Sequence, residues 1–179
     1  MLECFYMKFK PSISDKASFL HASILASNDG LVTTFAVIAG SLGANLDPKV
    51  IVILGVANLF ADGFSMASGN YLGAKGEEEY ESAQHQKFKK TPAIANGIVT
   101  FIAFIIAGVL PVFPYFFKIP NQFEIAVAIM TTSLISIGIA EGFFTSKNPI
   151  YTGARSLVIG GIAAAVAFAV GVLLKGVPI

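Results

Sequence analysis

Five long apolar stretches determine what this chain of 179 residues can fold into. The stretches are residues 17–43, 50–73, 92–117, 123–144 and 157–174. Each has about the 20 mostly apolar residues that a helix needs to cross a bilayer. Only 13% of the residues are charged, whereas a soluble domain has roughly 25%. We therefore predict an all-α, polytopic membrane protein in which residues 1–179 form a single transmembrane domain, a bundle of five helices.

The polar connections indicate how the helices alternate across the membrane. Most are short and rich in turn-forming residues, whereas residues 75–90 are predicted to extend the second helix beyond the membrane surface. With five crossings, nine Lys and Arg residues fall on one side and only Lys49, Lys118 and Lys175 on the other. The positive-inside rule then predicts a cytoplasmic N-terminus and cytoplasmic residues 75–90. We expect the plasma membrane in a prokaryote and a vacuolar or other endomembrane in a eukaryote.

Composition and motifs exclude several classes of function. The formal net charge is +1 and the basic residues are scattered, so no nucleic-acid partner is expected. Cys4 is the only cysteine, which excludes an intrachain disulfide and a cysteine-based metal cluster within one chain. The sequence has no nucleophile motif, phosphate-binding loop or zinc motif. We therefore predict neither an enzyme nor a permanently bound cofactor, and the lipid bilayer is the first expected partner.

Two aspartates, Asp29 and Asp62, lie within the first and second apolar stretches. An ionised carboxylate at the centre of a bilayer costs roughly 2.5 to 3.5 kcal/mol on insertion scales, so such a residue faces a cavity, a partner or a bound ion. Neither stretch has an interior Lys or Arg that would pair with it. Protonation, or hydrogen bonds to Ser and Asn neighbours, is the alternative. The favoured hypothesis is a site for a metal ion or a proton.

A stripe of residues with metal-binding groups follows one face of the second predicted helix. Its members at helical spacing are Asn58, Asp62, Ser65, Met66 and Gly69. Oxygen donors bind any divalent cation, whereas a thioether sulfur favours transition metals over Mg²⁺ and Ca²⁺. We therefore predict that this stripe binds Fe²⁺ or Mn²⁺ in preference to Mg²⁺. The predicted metal ligands are Asp29, Asn58, Asp62 and Met66. Packing is the alternative role for Met66, because methionine often fills space between helices.

The longer connection contains a second candidate metal-binding cluster. Its acidic and imidazole side chains include Glu77, Glu78, Glu81 and His85. At a helical spacing of four, Glu81 shares a face with both Glu77 and His85. Such a cluster would collect cations at the cytoplasmic mouth of a pathway. A solvated helix end, in which four Lys balance four Glu, is an equally supported alternative.

Small residues recur at a spacing of four in the fifth apolar stretch. The clearest pairs are Gly160 with Ala164 and Gly161 with Ala165. Helices in lipid associate through close backbone approach, which small residues permit. The sequence leaves open whether these pairs pack within one chain or form a contact between two subunits.

Two segments resemble those of a known family. They are DGLVTTFAVIAG at residues 29–40 and ANLFADGFSMASGNYL at residues 57–72, and both are similar to the vacuolar iron transporter family. The segment SLVIGGIAAAVAFAVGVLL at residues 156–174 resembles the family's last helix. The resemblance implies five spans with a cytoplasmic N-terminus. It also implies export of Fe²⁺ or Mn²⁺ from the cytoplasm in exchange for H⁺, by a homodimer.

The sequence departs from the family pattern at two places. Many iron-transporting members have a glutamate where this chain has Asn58, and they insert a metal-binding domain where this chain has only residues 75–90. The chain therefore resembles the short branch of the family, related to the nodulin-21-like transporters. The leading hypothesis is an antiporter that uses Asp29 and Asp62. A passive metal channel and a non-transporting membrane scaffold or metal sensor are the alternatives.

Overall fold

The computed structural model describes residues 13–84, 92–117 and 119–175, and these ranges contain five α-helices. The helices are α1 (Ile13–Gly43), α2 (Pro48–Ala83), α3 (Ala93–Phe116), α4 (Gln122–Phe144) and α5 (Pro149–Leu174). Each contains a segment long and apolar enough to cross a membrane, and the described ranges contain no β-strand. The prediction of an all-α, multi-pass membrane protein with five spanning helices is therefore confirmed.

Two helices extend well beyond the apolar stretches that predicted them. α2 has 36 residues, and at about 1.5 Å per residue it is longer than a hydrocarbon core of roughly 30 Å. α5 begins at Pro149 instead of residue 157, because the Asn148 side chain caps its first turn by accepting a hydrogen bond from the backbone N–H of Ile150. The first turns of α5 are helical but too polar to be found from hydropathy.

α1 is the central helix of the bundle. It packs against each of the other four, whereas α2 packs only against α1 and α3, and α5 only against α1 and α4, within the described ranges. Side chains of α1 such as Leu31, Thr34 and Ile38 are fully buried. The outer surfaces of α2 and α5 expose large apolar side chains, including Phe64 and Leu173. An apolar exterior around a packed interior is the arrangement expected in lipid.

Glycine residues allow the helices to approach one another closely. A Cβ atom on Gly171 of α5 would overlap the backbone carbonyl oxygen of Gly40 on α1. A Cβ atom on Gly30 of α1 would lie 2.6 Å from the carbonyl oxygen of Phe104 on α3. In both cases the obstacle is backbone and not a flexible side chain. These two crossings therefore require residues without a side chain.

The small residues of α5 divide between two surfaces. Gly160 is buried, and a Cβ atom there would meet Leu134 of α4 and Val32 of α1. Gly161 and Ala165 are exposed, and a Cβ atom on Gly161 would meet no atom of another described helix within 4 Å. Packing within the chain therefore explains Gly160. A contact between subunits remains a prediction for the face that carries Gly161 and Ala165.

Candidate functional site

The turn between α1 and α2 brings Asp29 and Asp62 to the same depth in the bundle. Asn45 adopts the left-handed conformation in this turn (φ 62°), and Asp47 caps α2 by accepting a hydrogen bond of 2.8 Å from the backbone N–H of Lys49. Asp29 precedes Asn45 by as many residues as Asp62 follows Leu46. Residues equidistant from the turn of a helical hairpin lie side by side, so the two carboxylates are at one level.

The two carboxylates have no basic partner among the described residues. Both side chains are half-buried, and both lie at the same level of the helical hairpin. Neither forms a salt bridge with a residue that the structure describes, and the ion pairs found there are Lys75 with Glu78 and Arg155 with Glu141. Repulsion between like charges is strong where water does not screen it. A cation or protons at this site would relieve that repulsion.

Three of the five predicted stripe residues of α2 lie on the side that the neighbouring helices partly cover. Asn58, Asp62 and Met66 are half-buried, whereas Ser65 and Gly69 are exposed. Met66 packs against the hydrophobic core, and the Nδ2 atom of Asn58 is buried without a hydrogen-bond partner in the described ranges. The amide, carboxylate and thioether thus follow one another at successive helical turns. Their chemistry suits a divalent transition metal.

No three His, Cys, Asp or Glu side chains among the described residues are grouped closely enough to hold a metal ion. A metal ion at Asp29 and Asp62 would therefore take further ligands from other donors. Asn58 and Met66 supply an amide oxygen and a thioether sulfur on the same side of α2 as Asp62. Backbone oxygens and water complete the coordination of many such sites.

The acidic cluster in the connection between α2 and α3 is described only in part. Glu77, Glu78 and Glu81 lie on the extension of α2, and His85 lies outside the described residues. The Glu78 carboxylate accepts a hydrogen bond of 2.9 Å from the Lys75 ammonium, and both side chains are substantially exposed. This ion pair agrees with a solvated helix end. Metal collection by the cluster remains a prediction.

Two polar residues of α1, one before and one after Asp29 in the sequence, have buried polar atoms and were not predicted from the sequence. The hydroxyl oxygen of Thr34 and the amide oxygen of Asn28 are buried, and neither has a hydrogen-bond partner in the described ranges. Thr34 is fully buried beside Gly108 of α3. Buried polar atoms without partners are rare and destabilising, so they often mark a site for water or an ion. Because α1 is mostly apolar, the polar character of these two residues is the sequence feature that could have identified them.

A network of polar side chains joins three helices at one end of the bundle. This network was also not predicted from the sequence. The Asn96 amide of α3 donates a hydrogen bond of 3.0 Å to the Ser18 hydroxyl of α1. The Asn70 amide of α2 donates one of 2.7 Å to the Thr100 hydroxyl of α3. Thr100 is fully buried and donates to the backbone carbonyl oxygen of Asn96. α1, α2 and α3 are therefore held together at the end from which α2 extends.

The sequence of the whole bundle matches one family. The model of the VIT family matches residues 20–93 and 86–172, which include most of every helix. The chain belongs to the VIT family. The resemblance drawn from residues 29–40 and 57–72 is therefore confirmed, and both aspartates lie within the matched residues.

Three relatives of this VIT family chain are similar to it over most of its length. It is 25% identical over 224 aligned residues to the vacuolar iron transporter of Plasmodium berghei (strain Anka), covering 87% of this chain and 82% of that protein. It is 25% identical over 213 residues to vacuolar iron transporter 1 of Tulipa gesneriana, covering 86% of each. It is 29% identical over 166 residues to vacuolar iron transporter homolog 1 of Arabidopsis thaliana, covering 87% of this chain and 82% of that protein.

The lengths of these alignments differ among the relatives. The alignments of 224 and 213 residues are longer than this VIT family chain, so those relatives contain residues that it lacks. The alignment with the Arabidopsis homolog is shorter than the chain. The family match consists of two parts that overlap at residues 86–93.

Proposed function

We propose that this protein transports a divalent transition metal, Fe²⁺ or Mn²⁺, across a membrane by exchanging it for protons at Asp29 and Asp62. Relatives named vacuolar iron transporters support metal transport. The observation that carries the proposal is the pair of carboxylates itself. They lie at one level on adjacent spanning helices, both half-buried, and without a basic partner among the described residues.

The carboxylate pair provides a physical basis for coupling. In a poorly screened environment, two ionised carboxylates that repel one another need compensating charge. One divalent cation or two protons supply the same charge. A site that loses its metal therefore takes up protons, and a site that binds metal releases them. If both carboxylates titrate, the exchange is electroneutral.

The neighbouring residues of α2 support a preference for transition metals. Asn58 and Met66 lie one helical turn on either side of Asp62, and all three are half-buried. Oxygen donors alone would accept Mg²⁺ and Ca²⁺ as well as Fe²⁺ and Mn²⁺. A thioether favours the softer ions, so Met66 would shift the selectivity toward Fe²⁺ and Mn²⁺.

The direction of transport and the assembly are part of the same proposal. The nine-to-three distribution of basic residues supports a cytoplasmic N-terminus. In that orientation the extension of α2 and its acidic residues lie at the cytoplasmic mouth, and the metal leaves the cytoplasm for a lumen or the exterior. The family resemblance supports a homodimer.

A proteoliposome assay tests the transport mechanism. The purified protein is reconstituted, Mn²⁺ is added outside, and metal uptake and internal pH are recorded together with fluorescent indicators. We expect Mn²⁺ uptake accompanied by proton movement in the opposite direction. An imposed proton gradient should accelerate or slow this Mn²⁺ uptake, depending on the direction of the gradient. Metal flux without proton movement would instead identify a passive channel. The absence of flux would identify a scaffold or sensor.

Met66→Leu is expected to weaken binding of Fe²⁺ and Mn²⁺ by about tenfold, the equivalent of about 1.4 kcal/mol. Leucine keeps the volume and the apolar contact with the core but removes the sulfur ligand. Metal affinity of the purified variant can be measured by titration calorimetry, with Ca²⁺ as the comparison ion. The affinity for Ca²⁺ should change little.

Met130→Leu is the matched control for this prediction. Met130 is a buried core residue of α4 that packs against the position of Gly160. It therefore reports the effect of the same substitution on packing alone. If both variants lost metal affinity equally, or if Met66→Leu bound metal like the wild type, Met66 would be a packing residue.

A further inference from the structure

A cavity lies at the end of the bundle opposite the polar network. Its volume is about 920 Å³, which is in the range of small-molecule sites and far larger than a metal ion needs. The start of α2, the end of α3 and the connection to α4 line it. Because these are the ends of spanning helices, the cavity lies at the level of the lipid headgroups.

The lining of this cavity has an apolar part and a charged part. Ile53 and Phe116 form apolar walls, and they are 66% and 53% exposed. Asp47, Lys49 and Gln122 lie at the helix ends. One carboxylate and one ammonium thus stand beside an apolar groove that leads along the spanning helices. A bound molecule of matching chemistry would have charges of both signs at one end and a hydrocarbon chain at the other.

One residue that lines the cavity also has a polar group without a hydrogen-bond partner among the described residues. Tyr115 lines it, and the side chain is 7% exposed. Its hydroxyl oxygen is buried and has no hydrogen-bond partner in the part of the chain that the structure describes. A buried hydroxyl without a partner is destabilising, and a polar ligand beside it would relieve that cost.

We propose that this cavity binds a membrane phospholipid whose headgroup carries an ammonium group as well as a phosphate, as in phosphatidylethanolamine. The phosphate pairs with the Lys49 ammonium, the ligand's ammonium pairs with the Asp47 carboxylate, and an acyl chain lies along Ile53 and Phe116. One carboxylate oxygen of Asp47 accepts a hydrogen bond from the backbone N–H of Lys49. A carboxylate can accept further hydrogen bonds.

Charge complementarity selects this headgroup over the other common ones. An anionic headgroup without an ammonium is attracted by Lys49 but repelled by Asp47, which lies beside it. A choline headgroup has a cation but no N–H donor for the carboxylate. A metal ion in this cavity is disfavoured because the Lys49 ammonium repels it.

Native mass spectrometry of the purified protein tests the proposal. The protein in detergent is titrated with equimolar palmitoyl-oleoyl phosphatidylethanolamine, phosphatidylglycerol and phosphatidylcholine. We expect preferential retention of phosphatidylethanolamine by the wild type. Lys49→Gln should weaken this retention about fivefold. Lys175→Gln removes the same charge from the end of α5, outside the cavity, and should leave the retention unchanged.

Tyr115→Phe provides a second, independent variant, because it removes only a hydroxyl without a partner and is expected to fold. We expect it to weaken phosphatidylethanolamine retention about threefold. Tyr151→Phe, at an exposed position of α5, is its control. Equal retention of the three lipids, or wild-type retention by Lys49→Gln and Tyr115→Phe, would overturn the proposal. Displacement of the lipid by millimolar inorganic phosphate would instead assign the cavity to a free anion and overturn it as well.

Discussion

Replacing either Asp29 or Asp62 by Asn is expected to abolish proton-coupled metal exchange. Asparagine keeps the size and one hydrogen-bonding oxygen of the side chain but removes the titratable charge. The loss should exceed the roughly 10- to 100-fold effect that is typical of residues that only support metal ligands. The measurement is metal uptake and internal pH in proteoliposomes that contain the wild type, each single variant or the double variant.

The pH dependence of metal binding gives the same prediction a second readout. Carboxylates bind metal only when ionised, so the affinity of the wild type should fall as the pH is lowered. Transport toward an acidic compartment would therefore release the metal there. In either Asn variant this pH dependence should weaken, because one of the two groups that compete for metal and protons is gone. Calorimetric titration at several pH values measures it.

Glu141→Gln is the matched control for these two variants. Glu141 is a carboxylate on a spanning helix, but it pairs with Arg155 of α5 and lies outside the proposed site. Its loss should leave the exchange unchanged. The Asn variants should keep the thermal stability of the wild type, since neither aspartate forms a salt bridge in the described ranges. Exchange at the wild-type rate in both Asn variants would show that the carboxylates are structural.

The helices and turns of this protein could be predicted from the sequence because local chemistry determines them. The lengths of the apolar stretches predicted the five spanning helices. The residues in the turns between them adopt the conformations that their side chains favour. Asp47 and Asn148 cap α2 and α5, while Asn45 and Asn121 adopt the left-handed conformation. The level of the two aspartates also follows from the sequence, because a short hairpin aligns residues equidistant from its turn.

The sequence could not determine which face of each helix is covered. In lipid, the covered and exposed faces of a helix are both apolar, so hydropathy does not separate them. Gly160 and Gly161 are neighbours of identical type, yet one is buried and the other exposed. Ser65 and Gly69 have helical spacing with Asp62 but lie outside the covered side of α2. Only the packing of neighbouring helices decides such cases.

Gly171→Ala is expected to destabilise the bundle by about 1 to 3 kcal/mol, the usual cost of overpacking. The added methyl group would overlap the backbone carbonyl oxygen of Gly40, so α5 and α1 would have to move apart. A side chain could rotate away from the methyl group, but a helix backbone cannot. Because α1 packs against all the other helices, the displacement would affect the whole bundle. Thermal denaturation of the purified variant in detergent measures the effect.

Gly161→Ala makes the same chemical change ten residues earlier in the same helix. No atom of another described helix lies within 4 Å of the added methyl group, and alanine favours a helix over glycine by about 0.5 to 1 kcal/mol. Its stability should therefore equal or slightly exceed that of the wild type. Wild-type stability of Gly171→Ala would show that α1 and α5 cross differently. A destabilised Gly161→Ala would show instead that the exposed face of α5 is covered in the assembled protein, as a contact between two subunits requires.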